Sequence, residues 1–147
     1  MLLDAVDTLG ILAAGQFQTL RSPGEFHTGA ANFVLIRSGR FLTRSLDNAI
    51  LHGVTRDSLP TLARDNGYQT EERVFSVREM LEWARDGEAA LSGTAAVLAG
   101  VGVLVCGDRE YTVRNGDVGP LTRDLRQKLV SIQRGESPDP YGWTTRI

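Results

Sequence analysis

Ala89-Ala90-Leu91-Ser92-Gly93-Thr94-Ala95-Ala96-Val97-Leu98-Ala99-Gly100-Val101-Gly102-Val103-Leu104-Val105-Cys106 is small, apolar and free of charge. Gly93, Gly100 and Gly102 break it into short runs, so it reads as buried strands rather than as one helix. Those runs are far shorter than the ~20 apolar residues that span a bilayer. Working outward, Glu110 to Val113 reads as a further strand and Asn115-Gly116-Asp117 as a turn. Pro120 to Arg134 is a helix that Gly135 ends. On the other side, Ser76-Val77-Arg78-Glu79 is a capping box that opens a helix through Arg85, and Glu71 to Phe75 is strand-like.

Further toward the start, Thr55 is the expected N-cap of a helix through Arg64, closed by Asn66-Gly67, with Pro60 tolerated near its first turn. Asn32 to Ile36 and Phe41 to Thr43 flank Ser38-Gly39, a hairpin signal. Phe17 to Leu20 reads as a strand, and Leu2 to Ala14 as a short extra helix ending at Gly15. Strands and helices around a glycine-rich apolar centre predict one α+β domain over residues 1–147, with a curved or pseudo-barrel sheet and flanking helices.

Composition narrows the function classes. The net charge of −2 gives no electrostatic case for nucleic acid or an anionic membrane. Cys106 is the only cysteine, so no internal disulfide forms and a reducing compartment fits. With no basic leader and with acid at Asp4 and Asp7, the expectation is a soluble cytoplasmic protein. Arginine outnumbers lysine 15 to 1, which reads as composition bias. The histidines, His27 and His52, lack clustered carboxylates or cysteines, so no metal site is expected.

Four stretches carry a family resemblance: Asn32-Phe33 leading to Gly39-Arg40-Phe41-Leu42-Thr43; Ile50-Leu51-His52-Gly53-Val54-Thr55-Arg56-Asp57-Ser58; Leu91-Ser92-Gly93-Thr94-Ala95-Ala96-Val97; and Gly119-Pro120-Leu121-Thr122. With the tail from Ile132 to Thr144, they make residues 25–147 resemble the large domain of a branched-chain amino acid aminotransferase, a fold-type-IV pyridoxal-phosphate enzyme. The resemblance implies that Val54 and Thr55 hold a cofactor phosphate through backbone amides and a hydroxyl, with Thr94 adding another hydroxyl. The residues support that independently. Gly53-Val54-Thr55 at a helix start is a cup of unpaired N–H groups, and Ser92-Gly93-Thr94 is a turn of small residues that admits close approach. An N-cap and a packed bend would explain the same residues without a ligand.

Against the family pattern, the Schiff-base lysine and the small N-terminal domain would precede the first residue of this chain. Lys128, the only lysine, falls in the last helix beside Leu125 and Leu129 and reads as a solvated side chain. Arginine cannot replace it, because a guanidinium stays protonated and is not nucleophilic. The glutamate expected at the pyridine nitrogen aligns with His27, with Glu25 two residues away, and the proline expected before the cup is His52.

Three functions follow as alternatives. In the first, Glu25, His27 and His52 form an acid/base group in a repurposed cleft, with Thr55 and Thr94 as anion donors. The protein is then a cofactor-independent isomerase, cyclase or lyase acting on a small metabolite in specialised metabolism, its pyridoxal-phosphate site vestigial. The second is a non-catalytic pseudo-aminotransferase that binds a phosphorylated small molecule or regulates a full-length relative. The third is one half of a split aminotransferase whose partner chain supplies the lysine. An open cleft and an exposed apolar patch around Ala95 to Val103 predict a homo-oligomer, with the helix at Leu2 to Ala14 as lid or interface.

Overall fold

The apolar run folds as two antiparallel strands, and the sheet is built around them. The computed structural model describes residues 9–13, 16–20, 32–46, 53–93, 97–106 and 109–147. In chain order the elements are β1 (Leu9–Ala13), β2 (Gln16–Leu20), β3 (Asn32–Arg37), β4 (Arg40–Thr43), α1 (Val54–Asp65), β5 (Gln69–Glu72), α2 (Val77–Asp86), β6 (Glu88–Gly93), β7 (Val97–Cys106), β8 (Arg109–Thr112) and α3 (Pro120–Gln133). The strands form one sheet in the order β2-β1-β7-β6-β3-β4-β5, with β8 also paired to β7. Among the described strands only β4 and β5 run parallel, and α1 is the crossover between them. The α+β class is as expected.

Strand parity sorts the core into two halves. Phe33, Leu35, Ala89 and Leu91 pack with α2 residues Val77, Met80, Trp83 and Ala84. Val34, Ile36 and Ala90 pack on the opposite face against Leu59 and Leu62 of α1 and Leu125 and Leu129 of α3. The arrangement is therefore α2, sheet, then α1 with α3.

Asn32 and Glu88 belong by the same parity to the α1/α3 face, although both are polar. Glu88 is 5% exposed, and its carboxylate accepts from Leu121 N (3.0 Å), Thr122 N (2.7 Å) and Thr122 Oγ1 (2.7 Å). It caps α3 from a neighbouring strand. A Cβ on Gly119 would lie 1.9 Å from the Glu88 carboxyl carbon, so no larger residue fits there.

Several sequence expectations hold in detail. Ser38 and Gly39 form the β3–β4 turn with positive φ at both positions (49° and 76°). Ser76 Oγ accepts from Glu79 N at 3.1 Å, the first half of the capping box. The Glu79 carboxylate turns instead to Arg73, whose Nη1 it meets at 2.9 Å.

Others need correction. Leu9 to Ala13 is a strand, not part of a helix, because β2 and β7 take its backbone groups on either side. The helical lid expected at Leu2 to Ala14 is therefore wrong over those residues; residues 2–8 and 14 lie outside the described ones. The strand expected at Glu71 to Phe75 is Gln69–Glu72, set by its register against Arg40 to Thr43. Pro60 sits in the second turn of α1, where its ring removes the bond to the Arg56 carbonyl.

From Val97 to Val103 the apolar run is buried or half-buried, so the described part of the expected patch is not exposed. Val118 covers Gly100, and the Gly116 carbonyl lies where a Cβ on Gly102 would come within 2.4 Å. Among the described residues no helix is long and apolar enough to cross a membrane.

The tail docks by polar contacts and by Tyr141, which packs against the α1/α3 core. Asp139 accepts from Tyr141 N (3.1 Å), Thr144 N (2.7 Å) and Thr144 Oγ1 (2.9 Å). Tyr141 stacks on Trp143 and donates its hydroxyl to Asp65 at 2.6 Å. That bond to Asp65, with burial second, pushes the Tyr141 phenol from 10.0 up to about 12. The folded state then holds this proton more tightly than the unfolded chain. Its contribution is complete below pH 10 and is lost as pH rises through about 12.

Two outcomes are expected. Glu88→Ala should cost roughly 2–4 kcal/mol in urea unfolding, because a buried charge-assisted cap is lost, against about 1 kcal/mol for Ser76→Ala; equal costs would contradict the cap. Between pH 10 and 12 the wild type should lose stability that Tyr141→Phe does not. Parallel curves would remove Tyr141 as the cause.

Candidate anion site at the start of helix α1

Helix α1 begins without a side-chain cap. Its N-cap is Gly53 (φ −76°, ψ 139°), which can offer none. Asp57 N closes the first turn on the Gly53 carbonyl at 3.1 Å, leaving the N–H groups of Val54, Thr55 and Arg56 without intrahelical acceptors. In the other two described helices some first-turn donors are served, Glu79 N by Ser76 in α2 and Leu121 N and Thr122 N by Glu88 in α3. The expected cap at Thr55 is thus corrected to Gly53. Thr55 lies within the first turn and is half-buried, while Val54 is 84% exposed at the mouth.

Glycine at position 53 has a spatial reason. A Cβ there would lie 2.9 Å from Asn32 Oδ1, so the start of α1 rests directly on the Asn32 side chain. Asn32 is 7% exposed and pairs across the sheet with Ser92. The β3–β6 register therefore brings the Gly53-Val54-Thr55 turn beside the end of β6, where Ser92 and Gly93 lead to Thr94. Two segments some forty residues apart in sequence converge through one buried amide.

Ser92 is 1% exposed, and its hydroxyl has no hydrogen-bond partner among the described residues. An unsatisfied buried hydroxyl costs about 1–3 kcal/mol. The strands end just beyond it, with Gly93 paired to Val97. Val97 has φ 61°, an expensive conformation for a β-branched residue, and such strain collects where a turn's shape matters.

The charges nearby are mostly committed. Arg56 is 3% exposed and donates to the Arg44 carbonyl (2.7 Å) and Glu72 Oε2 (2.8 Å), tying α1 to the ends of β4 and β5. Asp57, the only acid in the first turn of α1, is 64% exposed and reaches Arg56 Nη1 at 3.4 Å. What remains at the helix start is a set of neutral backbone donors and the buried Arg56 Nε–H, which has no partner among the described residues, all aided by the helix dipole, an arrangement that favours an anion.

Lys128 is far from these donors. Its Nζ donates to Asn66 Oδ1 (2.5 Å) and to Asp124 Oδ2 (2.8 Å), clasping α3 to the far end of α1. Its side chain is also 42% exposed, so the expected solvated side chain is found, with these two bonds added. At 1.5 Å per residue, the 12 residues of α1 put that amine about 18 Å from the helix start.

A hollow of about 720 Å³ between the end of α3 and the tail lies at a helix C-terminus, where carbonyls repel anions. Another of about 520 Å³ between α2 and β8, lined by Leu81 and Tyr111, is on the opposite face of the sheet. Each is lined by two arginines and two carboxylates, Arg134 and Arg146 with Glu136 and Asp139 in the first and Arg78 and Arg85 with Glu82 and Glu110 in the second.

Of the residues singled out from sequence, Val54 and Thr55 are at the cup, while Glu25, His27, His52 and Thr94 lie outside the described residues. Asn32 as the bridge and Glu88 as the α3 cap were missed. Their signal was present: each is a polar residue on the even, buried face of an apolar strand.

A family model described as amino-transferase class IV matches residues 26–102. A probable branched-chain-amino-acid aminotransferase of Staphylococcus epidermidis is 38% identical over 122 residues, covering 81% of this chain and 34% of that protein. The crystal structure of the Escherichia coli branched-chain amino acid aminotransferase aligns with TM-score 0.67 and 31% identity, covering 80% of this chain and 36% of the other. The branched-chain amino acid aminotransferase from Thermobaculum terrenum, solved in its PLP form, aligns at TM-score 0.62 and 30% identity, over 74% of this chain and 33% of that one. The chain thus spans about a third of the length of the relatives it matches.

Gly53→Ala tests the geometry. The added methyl must displace Asn32, so phosphate affinity by calorimetry should fall several-fold, while a helix start unconnected to Asn32 would leave it unchanged.

Proposed function

The chain belongs to the class IV amino-transferases, and on that premise we propose that it holds a phosphate ester of the pyridoxal or pyridoxamine type by non-covalent contacts at the start of α1. One observation carries this reading: the uncapped N–H groups of Val54 and Thr55 sit beside the Asn32–Ser92 pair, where a buried hydroxyl lacks an acceptor. The phosphate portion of the family's cofactor fits these residues, with Val54 and Thr55 donating to it. When bound, such a group supplies an electron-withdrawing ring.

The covalent portion does not fit. The amine of Lys128 is held at the opposite end of α1, about 18 Å away on helix geometry. This chain's own lysine therefore offers no covalent attachment at the cup. The resulting role is that of the phosphate-holding part of an aminotransferase-like cleft.

A second reading adds catalysis. His52 immediately precedes Gly53, the N-cap of α1, in the sequence. With His27 and Glu25 it would serve as the acid/base group of a cofactor-independent isomerase, cyclase or lyase.

Incubation with pyridoxal phosphate, then borohydride and peptide mapping, tests the first reading. Cofactor that binds, dialyses away and leaves Lys128 unlabelled is the expected result; stoichiometric label on Lys128 overturns it. For the second reading, His52→Ala and His27→Ala should each abolish turnover with the melting temperature unchanged. Two fully active variants would end it.

A further inference from the structure

The hydroxyl of Ser92 is unexplained by packing alone. Strand parity fixes its side: in β6, Glu88 bonds α3 and Ala90 lies in the α1/α3 core, so Ser92 continues the same row. Its cross-strand partner is Asn32, the residue against which Gly53 rests. The row thus ends at the start of α1, where the Val54 and Thr55 N–H groups also lack intrahelical acceptors. Ser92 is 1% exposed, so bulk water does not serve its hydroxyl. Donors on a helix and on a strand, both next to Asn32 and both short of an acceptor among the described residues, suit a group that accepts in several directions at once. A phosphate monoester has three such oxygens, and hydrogen bonds to it are charge-assisted.

We infer that Ser92 is a ligand-contacting residue, whose hydroxyl donates to a phosphate oxygen held by the start of helix α1. This rests on the anion-site reading above and adds a residue to it. Without ligand the hydroxyl is a buried, unpaired donor and lowers stability. With ligand it gains its bond. The two effects of removing it therefore have opposite signs, which a purely structural serine would not show.

The test uses the intact chain, with pyridoxamine phosphate and inorganic phosphate as separate probes in calorimetry and a thermal melt without ligand. Ser92→Ala is expected to weaken both probes on the order of tenfold while raising the ligand-free melting temperature by about 2–4 °C. Ser92→Cys, nearly isosteric and a weak donor, should lose affinity similarly and keep the wild-type fold. Weakening confined to pyridoxamine phosphate would move the hydroxyl's contact from the phosphate to the ring and overturn the assignment. If the wild type binds and Ser92→Ala binds equally well, the assignment fails while the anion site stands. A fall in melting temperature, or loss of folding, in Ser92→Ala makes the hydroxyl structural and likewise overturns it. A wild type that binds neither probe overturns the anion site itself, and this assignment with it.

Discussion

A buried carboxylate sets the position of the rest. Glu88 begins β6 under the first turn of α3 and accepts three hydrogen bonds there. Without those donors a charge at 5% exposure would be prohibitively desolvated. The contact locks strand to helix at one end of β6. Period-two alternation then delivers Ala90 to the core and Ser92 to the same face at the other end, about 14 Å away. The antiparallel register sets Asn32 opposite Ser92, and Asn32 receives Gly53 and the start of α1. The candidate site is thus the far end of a chain of contacts that begins at a helix cap.

That chain explains why the cup contains so few charged groups of its own. Arg56 holds α1 to the Arg44 carbonyl and Glu72 through Nη2, with only its buried Nε left over, and Lys128 clasps α1 to α3. What α1 presents is backbone, oriented by packing rather than by flexible side chains, and such donors need little reorganisation to meet an anion. The lysine on which the family's covalent chemistry turns has no counterpart there in this chain, since its only lysine has a different structural task.

Local signals in the sequence were legible where one residue type has one physical use. Ser38-Gly39 gave the hairpin, Ser76-x-x-Glu79 the start of α2, and Gly135 the end of α3. Signals failed where tertiary pairing overrode them. Leu9 to Ala13 suits either element by composition, and the free edges of β7 and β2 made it a strand. Thr55 was the better cap by propensity, but the helix starts earlier, with Gly53 as N-cap packed against Asn32. The described part, Val97 to Val103, of the apolar patch expected around Ala95 to Val103 is covered because Gly116 and Val118 fold over the glycines of β7. As for the site, Val54 and Thr55 could be read from their turn, whereas Asn32 and Ser92 acquire meaning only once the β3–β6 register is known.

The most direct measurement is an amide-proton NMR titration of the isotopically labelled chain with pyridoxamine phosphate. The account predicts the largest shifts at the N–H groups of Val54, Thr55 and Arg56, with Gly93 moving alongside them and the α3 cap at Leu121 and Thr122 still. Shifts centred on the tail around Ser137 to Thr144, or no saturable shift at the start of α1, would contradict it.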